Sequence, residues 1–244
     1  MKLFMTSVLG GYVRGETGYV PSPIWSANGL LDKIKSYWPQ DAKVLIICSD
    51  PGNFAKNDDL LSCYRESLPA SGLPYSSLEF CDLRNESAVD KIADTDVLIF
   101  LGGHVPTQNA FMKKIGLREK LSAFDGIILA MSAGSMNCAD TVYAGPEEPG
   151  EAIDPDYQRW ISGLGLTNVN IFPHFQNLRH DVLDGLRLIE DITFADSMGH
   201  ELIALNDESY IFSDGETETI VGEAYSILDA VITKICDKGE SLVL

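Results

Sequence analysis

The sequence predicts an α/β fold of three layers: a mostly parallel central sheet with helices on both faces, extended by a small antiparallel element near the C-terminus. Three observations predict it. Continuous apolar runs at 44–48, 97–101 and 127–131 read as strands buried on both faces, the habit of parallel sheets. Segments with helical spacing of apolar residues alternate with these runs, so right-handed crossovers should join them. The runs also lead into small or turn-forming residues, Ser49-Asp50-Pro51-Gly52, Gly102-Gly103 and Ser132-Ala133-Gly134, which gathers polar chemistry at the carboxyl ends of the strands.

Taken in order, residues 3–7 form the first strand. Residues 10–29, rich in Gly, Pro and Ser, read as a long loop anchored by Tyr12, Tyr19 and Trp25 or kept for function. A helix over 30–38 buries Leu30, Leu31, Ile34, Tyr37 and Trp38, and Pro39 stops it. The strand at 44–48 precedes a helix over 57–67, a short strand at 78–80 and a short helix at 88–93. The strand at 97–101 leads through Gly102-Gly103 into a helix carrying Phe111, Ile115 and Leu121, and Asp125-Gly126 turns into the run at 127–131. Residues 140–156 carry six acidic residues and read as a rim or lid loop. A strand at 169–172 delivers Pro173-His174. Periodicity predicts a helix over 181–190, small antiparallel strands at 201–205, 209–212 and 217–221, and a C-terminal helix over 224–236.

A chain of 244 residues supports one substantial core, and with no linker or repeat a single domain over 1–244 is the economical reading. Hydrophobic residues make up 45% and charged residues 22%, the profile of an ordered protein. The apolar runs, about five to seven residues long, are too short for a membrane-spanning helix. The first residues resemble a signal peptide only slightly and fit a buried strand better. Five scattered cysteines without a C-x-x-C pair point to reduced thiols and a cytoplasmic setting. A formal net charge of -18 argues against a nucleic-acid partner, because no basic stripe is present to neutralise phosphates.

The run at 127–131 ends directly in Ser132, followed by Ala133 and Gly134. A sharp strand-to-helix turn here would present the hydroxyl as a nucleophile elbow, although Ala130 stands where the first glycine of that motif is usual. Alone, the pattern equally fits a serine capping a helix. A base is needed, and His174 follows a strand directly, whereas His180 and His200 lie in helix-start or loop contexts. His104, after the glycine pair, is the other candidate base or a substrate contact. Asp140, Glu147 and Glu148, between serine and histidine, are the candidates to orient the imidazole. The N–H groups of Ala133 and Gly103 would form an oxyanion hole, with glycine at 103 leaving room for the substrate carbonyl.

These pieces resemble the peptidase E group of serine peptidases, which includes aspartyl dipeptidase and, more distantly, cyanophycinase. The resemblance rests on Leu101-Gly102-Gly103, Met131-Ser132-Ala133-Gly134 and Asn170-Ile171-Phe172-Pro173-His174-Phe175. It implies a class I glutamine amidotransferase-like fold, Ser132 as nucleophile, His174 as general base and the acid at or near Glu147. It also implies an arginine pairing with a substrate aspartate. Arg179, Arg187 and Arg14 are in reach by position, but none sits in a matching motif. His104 and Ala130 depart from the family pattern.

The function expected is serine-dependent hydrolysis of short peptides, of a dipeptidase or aminopeptidase kind, with an acidic N-terminal residue as the preference the resemblance suggests. The alternatives are a non-catalytic ligand-binding or regulatory relative, and an amidase or esterase acting on a non-peptide substrate. No metal and no other cofactor is expected, since no His/Asp/Glu cluster has ligand spacing and no dinucleotide fingerprint follows a strand. The partner expected is a short peptide, with the chain a monomer or a homodimer; no nucleic-acid or membrane partner is expected.

Overall fold

The computed structural model describes residues 1–244. Its main sheet has eight strands in the order Ser241–Val243, Glu218–Val221, Tyr210–Ser213, Lys2–Thr6, Ile127–Met131, Val97–Phe100, Ala42–Ile47 and Tyr75–Cys81. From Lys2–Thr6 onward the strands are parallel. The three before it add in antiparallel fashion. With helices on its faces, this is a three-layer α/β/α sandwich.

The parallel strands are apolar because both faces are covered. Every residue of Ile127–Met131 and of Val97–Phe100 is buried. Each large side chain sealed this way contributes roughly 1.5–3 kcal/mol relative to exposure. The order of succession reverses between Ala42–Ile47 and Val97–Phe100, since Tyr75–Cys81 lies outside the former and Ile127–Met131 inside the latter. Crevices open outside the carboxyl ends of strands at such reversals.

A second sheet, in the order Asn170–Phe172, Leu202–Leu205, Ala224–Leu228 and Val231–Cys236, packs through its own apolar cluster of Tyr143, Phe172, Phe175, Leu202 and Ile227. Its first two strands are parallel, with Phe172 opposite Ala204. This pairing carries His174 and the turn after Leu205 to the same end of the molecule.

Three expected elements are corrected. The loop at 10–29 is largely a hairpin, Gly10–Arg14 with Tyr19–Ile24, closed over helix Phe54–Ala70. The helix expected over 181–190 is a hairpin, Val182–Leu183 with Leu186–Arg187, followed by a π-helical turn at Leu188–Thr193. Asp184-Gly185 forms its turn with φ of +53° and +83°, the positive-φ pair that a tight hairpin demands. The helix expected over 224–236 is two antiparallel strands, Ala224–Leu228 and Val231–Cys236. There Asp229 and Ala230 turn with φ of +50° and +62°, and sheet pairing overrides a pattern that also fits a helix.

Candidate active site

Four strand ends lie in a row at the carboxyl edge of the parallel sheet. Thr6 pairs with Met131, Phe100 with Ala130, and Ile47 with Phe100. Counting on in the same register brings Ser7, Ser132, Gly102 and Ser49 side by side.

Ser132 sits at the elbow with φ +49° and ψ −120°, a conformation a side chain rarely adopts and one that stores roughly 1–3 kcal/mol. The surroundings hold it there. Its N–H donates to the Thr6 carbonyl at 2.9 Å, and Ser135 Oγ donates to the same oxygen at 2.8 Å while accepting from the Thr6 N–H at 2.9 Å. Thr6 Oγ1 donates to the Ala130 carbonyl at 3.0 Å. Gly134 is obligatory, because a Cβ there would lie 2.5 Å from the Phe100 carbonyl oxygen. Ala130 is fully buried within the strand, so the departure from the usual glycine falls where a methyl group is accommodated.

His174 follows Asn170–Phe172 and turns through the left-handed region, φ +57°. Its N–H donates to Ser7 Oγ at 3.2 Å, and Ser7 Oγ donates to the Leu205 carbonyl at 3.1 Å. The imidazole Nε2 lies 3.0 Å from Ser132 Oγ. Its Nδ1 lies 2.5 Å from Asp207 Oδ1, and Asn177 Nδ2 donates to the other carboxylate oxygen at 2.9 Å. Burial would raise Asp207, but these hydrogen bonds and the nearby imidazole outweigh it and hold the carboxyl below its ordinary range.

The carboxylate bonded to His174 is therefore Asp207, and the expectation of Glu147 in that position is corrected. Asp207 follows Leu202–Leu205, the strand paired in parallel with the one that delivers His174. None of the acids between serine and histidine hydrogen-bonds to His174. Asp140 pairs with Arg118 at 2.6 Å. Glu148 lies exposed in the rim loop, and Glu147 faces the cleft instead.

That cleft, about 320 Å³, is lined by Ser132 and His174, by apolar side chains including Met136, Tyr143, Phe172 and Leu188, and by the carboxylates Glu147 and Asp181. Although solvent reaches Glu147, the protein atoms crowding its carboxyl push it up to about 7, helped by Glu151 and opposed by His104, the Val105 amide and His174. Two tethers hold the rim. Glu151 accepts from His104 Nε2 at 2.8 Å and from the N–H groups of Glu147 and Glu148. Asp184, at the hairpin turn, accepts from the N–H groups of Gly150 and Ala152.

The remaining expected residues lie as follows. Gly103 follows the glycine-paired strand end, and its N–H has no protein acceptor. Ala133 opens the helix Ala133–Met136, whose start leaves its N–H without an intrahelical partner. Glycine is needed at 103 for a reason other than the one expected: a Cβ there would meet Ser49 Oγ at 2.5 Å. Both ring nitrogens of His104 are taken, by Thr107 Oγ1 at 2.7 Å and by Glu151. Arg14 and Arg179 are exposed and line no part of the cleft. Arg187 is paired with Asp191. His104, Glu148 and Glu151 bring three ligand-type atoms within 4.8 Å of one another; the hydrogen bonds above already account for the groups of His104 and Glu151.

No protein-family model matches the sequence, and no curated protein matches it either. Among solved structures the chain is similar to one described as a "Putative Peptidase E Protein" from Listeria monocytogenes EGD-e. The TM-score is 0.57 at 13% identity, over 96% of this chain and 98% of that one. The class defined at this level is the fold: an α/β/α sandwich of the class I glutamine amidotransferase-like kind. Within it, Ser132 at the carboxyl edge of the main sheet is joined by hydrogen bonds to a histidine and an aspartate that follow two strands of the second sheet. No helix is long and apolar enough to cross a membrane.

Proposed function

We propose that this protein is a serine-dependent hydrolase of short peptides. The observation that carries the reading is the hydrogen-bonded chain Ser132 Oγ, His174 Nε2, His174 Nδ1 and Asp207 Oδ1, at 3.0 and 2.5 Å, with Ser132 and His174 lining the cleft. The likeness in fold to the Listeria protein supports it.

The chemistry follows from the geometry. With its proton on Nδ1 and donated to Asp207, His174 presents a bare Nε2 to the serine hydroxyl. Ser132 Oγ attacks the substrate carbonyl carbon while its proton passes to Nε2, and the carbonyl electron pair moves onto oxygen. The amides of Gly103 and Ala133 receive that oxyanion. When it collapses, the C–N bond breaks and the imidazolium protonates the departing amine. Water then repeats the sequence against the acyl-serine ester: His174 takes its proton, and Ser132 leaves as the alcohol.

The lining of the cleft bears on specificity. It holds the carboxyl groups of Glu147 and Asp181 and no arginine or lysine, so an acidic substrate side chain would find no arginine or lysine counter-ion there. Apolar or cationic N-terminal residues fit better than the acidic residue suggested by the family resemblance. A dipeptide library assayed with wild type and Ser132→Ala tests the reading: hydrolysis by the former alone is expected. Activity that survives the substitution, or esters cleaved with every peptide intact, would overturn it.

A further inference from the structure

We propose that Ser49 is a positioning residue for the oxyanion site, holding the Gly102–Gly103 peptide so that its N–H faces the reacting carbonyl. The inference rests on the hydrolase reading and adds a residue to it.

Ser49 lies two residues beyond Ala42–Ile47, beside the strand end that bears the glycine pair. It is 2% exposed, and its Oγ donates to the Gly102 carbonyl oxygen at 2.6 Å. No peptide bond in the chain is cis, so the C=O of residue 102 and the N–H of residue 103 point in opposite directions across one rigid plane. In the row across the sheet, Ser49 and Ser132 flank Gly102, with Gly102 close enough that a Cβ on it would lie 3.0 Å from Ser132 Cβ. Pinning the carbonyl toward Ser49 therefore turns the Gly103 N–H toward the Ser132 side. That N–H has no protein acceptor, as a donor reserved for an incoming oxyanion requires.

Two further effects act in the same direction. A donor on the carbonyl polarises the peptide and strengthens its N–H as a donor. The Ser49 side chain also fills the space beside Gly103, excluding any larger residue there. Without the hydroxyl, a glycine pair has little to resist rotation of this peptide. The preorganisation that makes an oxyanion donor effective would then be lost.

The test compares wild type, Ser49→Ala, Ser49→Thr and Ser132→Ala, using an alkyl fluorophosphonate and the best dipeptide from the library. In the fluorophosphonate reaction Ser132 Oγ displaces fluoride from phosphorus, with the P=O oxygen in the oxyanion site. For Ser49→Ala the labelling rate and kcat should both fall about 10- to 100-fold, a fraction of the loss seen when an oxyanion donor is removed outright. KM should change less than about threefold, because ground-state binding is untouched. Ser49→Thr, which keeps the hydroxyl, should recover most of the rate. Wild-type labelling rate and kcat in Ser49→Ala would overturn the proposal, as would equal loss in the Thr variant when it folds with an unchanged melting temperature. If Ser49→Ala does not fold, Ser49→Cys carries the same test with its weaker donor, and an undiminished rate there overturns the proposal. Failure of the underlying hydrolase reading shows separately, as wild-type hydrolysis that persists in Ser132→Ala.

Discussion

Asp207 Oδ1 lies 2.5 Å from His174 Nδ1, on the side of the ring opposite Ser132. Each of the two residues follows a strand of one parallel pair, Leu202–Leu205 and Asn170–Phe172. Removing this carboxylate should cost far more than removing the acid nearer in sequence. Asp207→Asn presents an amide where Nδ1–H needs an acceptor, and its kcat should fall by about 10⁴, the scale seen when a triad acid is replaced this way. Glu147→Gln should keep kcat within about tenfold under the same assay. The reverse ranking would reinstate Glu147 as the orienting acid.

Glu147 should leave a different signature, in stability. Its folded value is raised from 4.5 to about 7 by the protein atoms crowding its carboxyl, so the folded state holds that proton more tightly than the unfolded chain does. Whatever stability this confers is present below pH 4.5 and is lost as pH rises through about 7. In Glu147→Gln the loss is absent. The melting temperature of the variant relative to wild type should therefore climb across that window and then level off. A difference that stays flat with pH would mean that the surrounding protein atoms leave the Glu147 carboxyl unperturbed.

Strain at the elbow predicts a trade of activity against stability. Ser132 is held at φ +49°, which glycine adopts freely. Ser132→Gly should raise stability by about 1 kcal/mol, since relief of roughly 1–3 kcal/mol of strain is partly offset by the entropy of a more flexible unfolded chain. Denaturant unfolding checks this, with Ser132→Ala, which keeps its Cβ, as the comparison. A glycine variant no more stable than the alanine one would mean that the turn is unstrained.

Substrate preference follows from the lining. With Glu147 and Asp181 facing the cleft and no arginine or lysine among its residues, dipeptides with an N-terminal aspartate should, above the Glu147 value of about 7, be poorer substrates than leucyl or lysyl ones by at least about tenfold in kcat/KM. Like charges at close range account for a difference of that order. A clear preference for aspartate would show that Arg14 or Arg179 reaches the substrate after all.

Much of this was legible in the sequence because buried parallel strands announce themselves as unbroken apolar runs. The runs ending at Leu101 and Met131 place Gly102, Gly103 and Ser132, and the short run before Pro173 places His174. Asp207 lies outside the stretch between serine and histidine, where the chain order Ser, acid, His puts the orienting carboxylate. The signal was there: an apolar strand through Leu205 followed by Asn206-Asp207, the same strand-end logic that selected His174. Ser7 and Ser49 were passed over because a lone serine after a strand is ordinary until register sets it beside the elbow. The two misread helices have a common cause. Their apolar spacing fits helix and hairpin alike, and the turns at Asp184-Gly185 and Asp229-Ala230, set by positive φ, decide between them.

The claim at the centre is that Ser132 Oγ is a nucleophile activated by His174. Intact and peptide-level mass spectrometry after reaction with a fluorophosphonate tests it most directly. One phosphonyl adduct per chain is expected, located on Ser132, and lost in His174→Ala. An adduct on another residue, or undiminished labelling of Ser132 without His174, would contradict it.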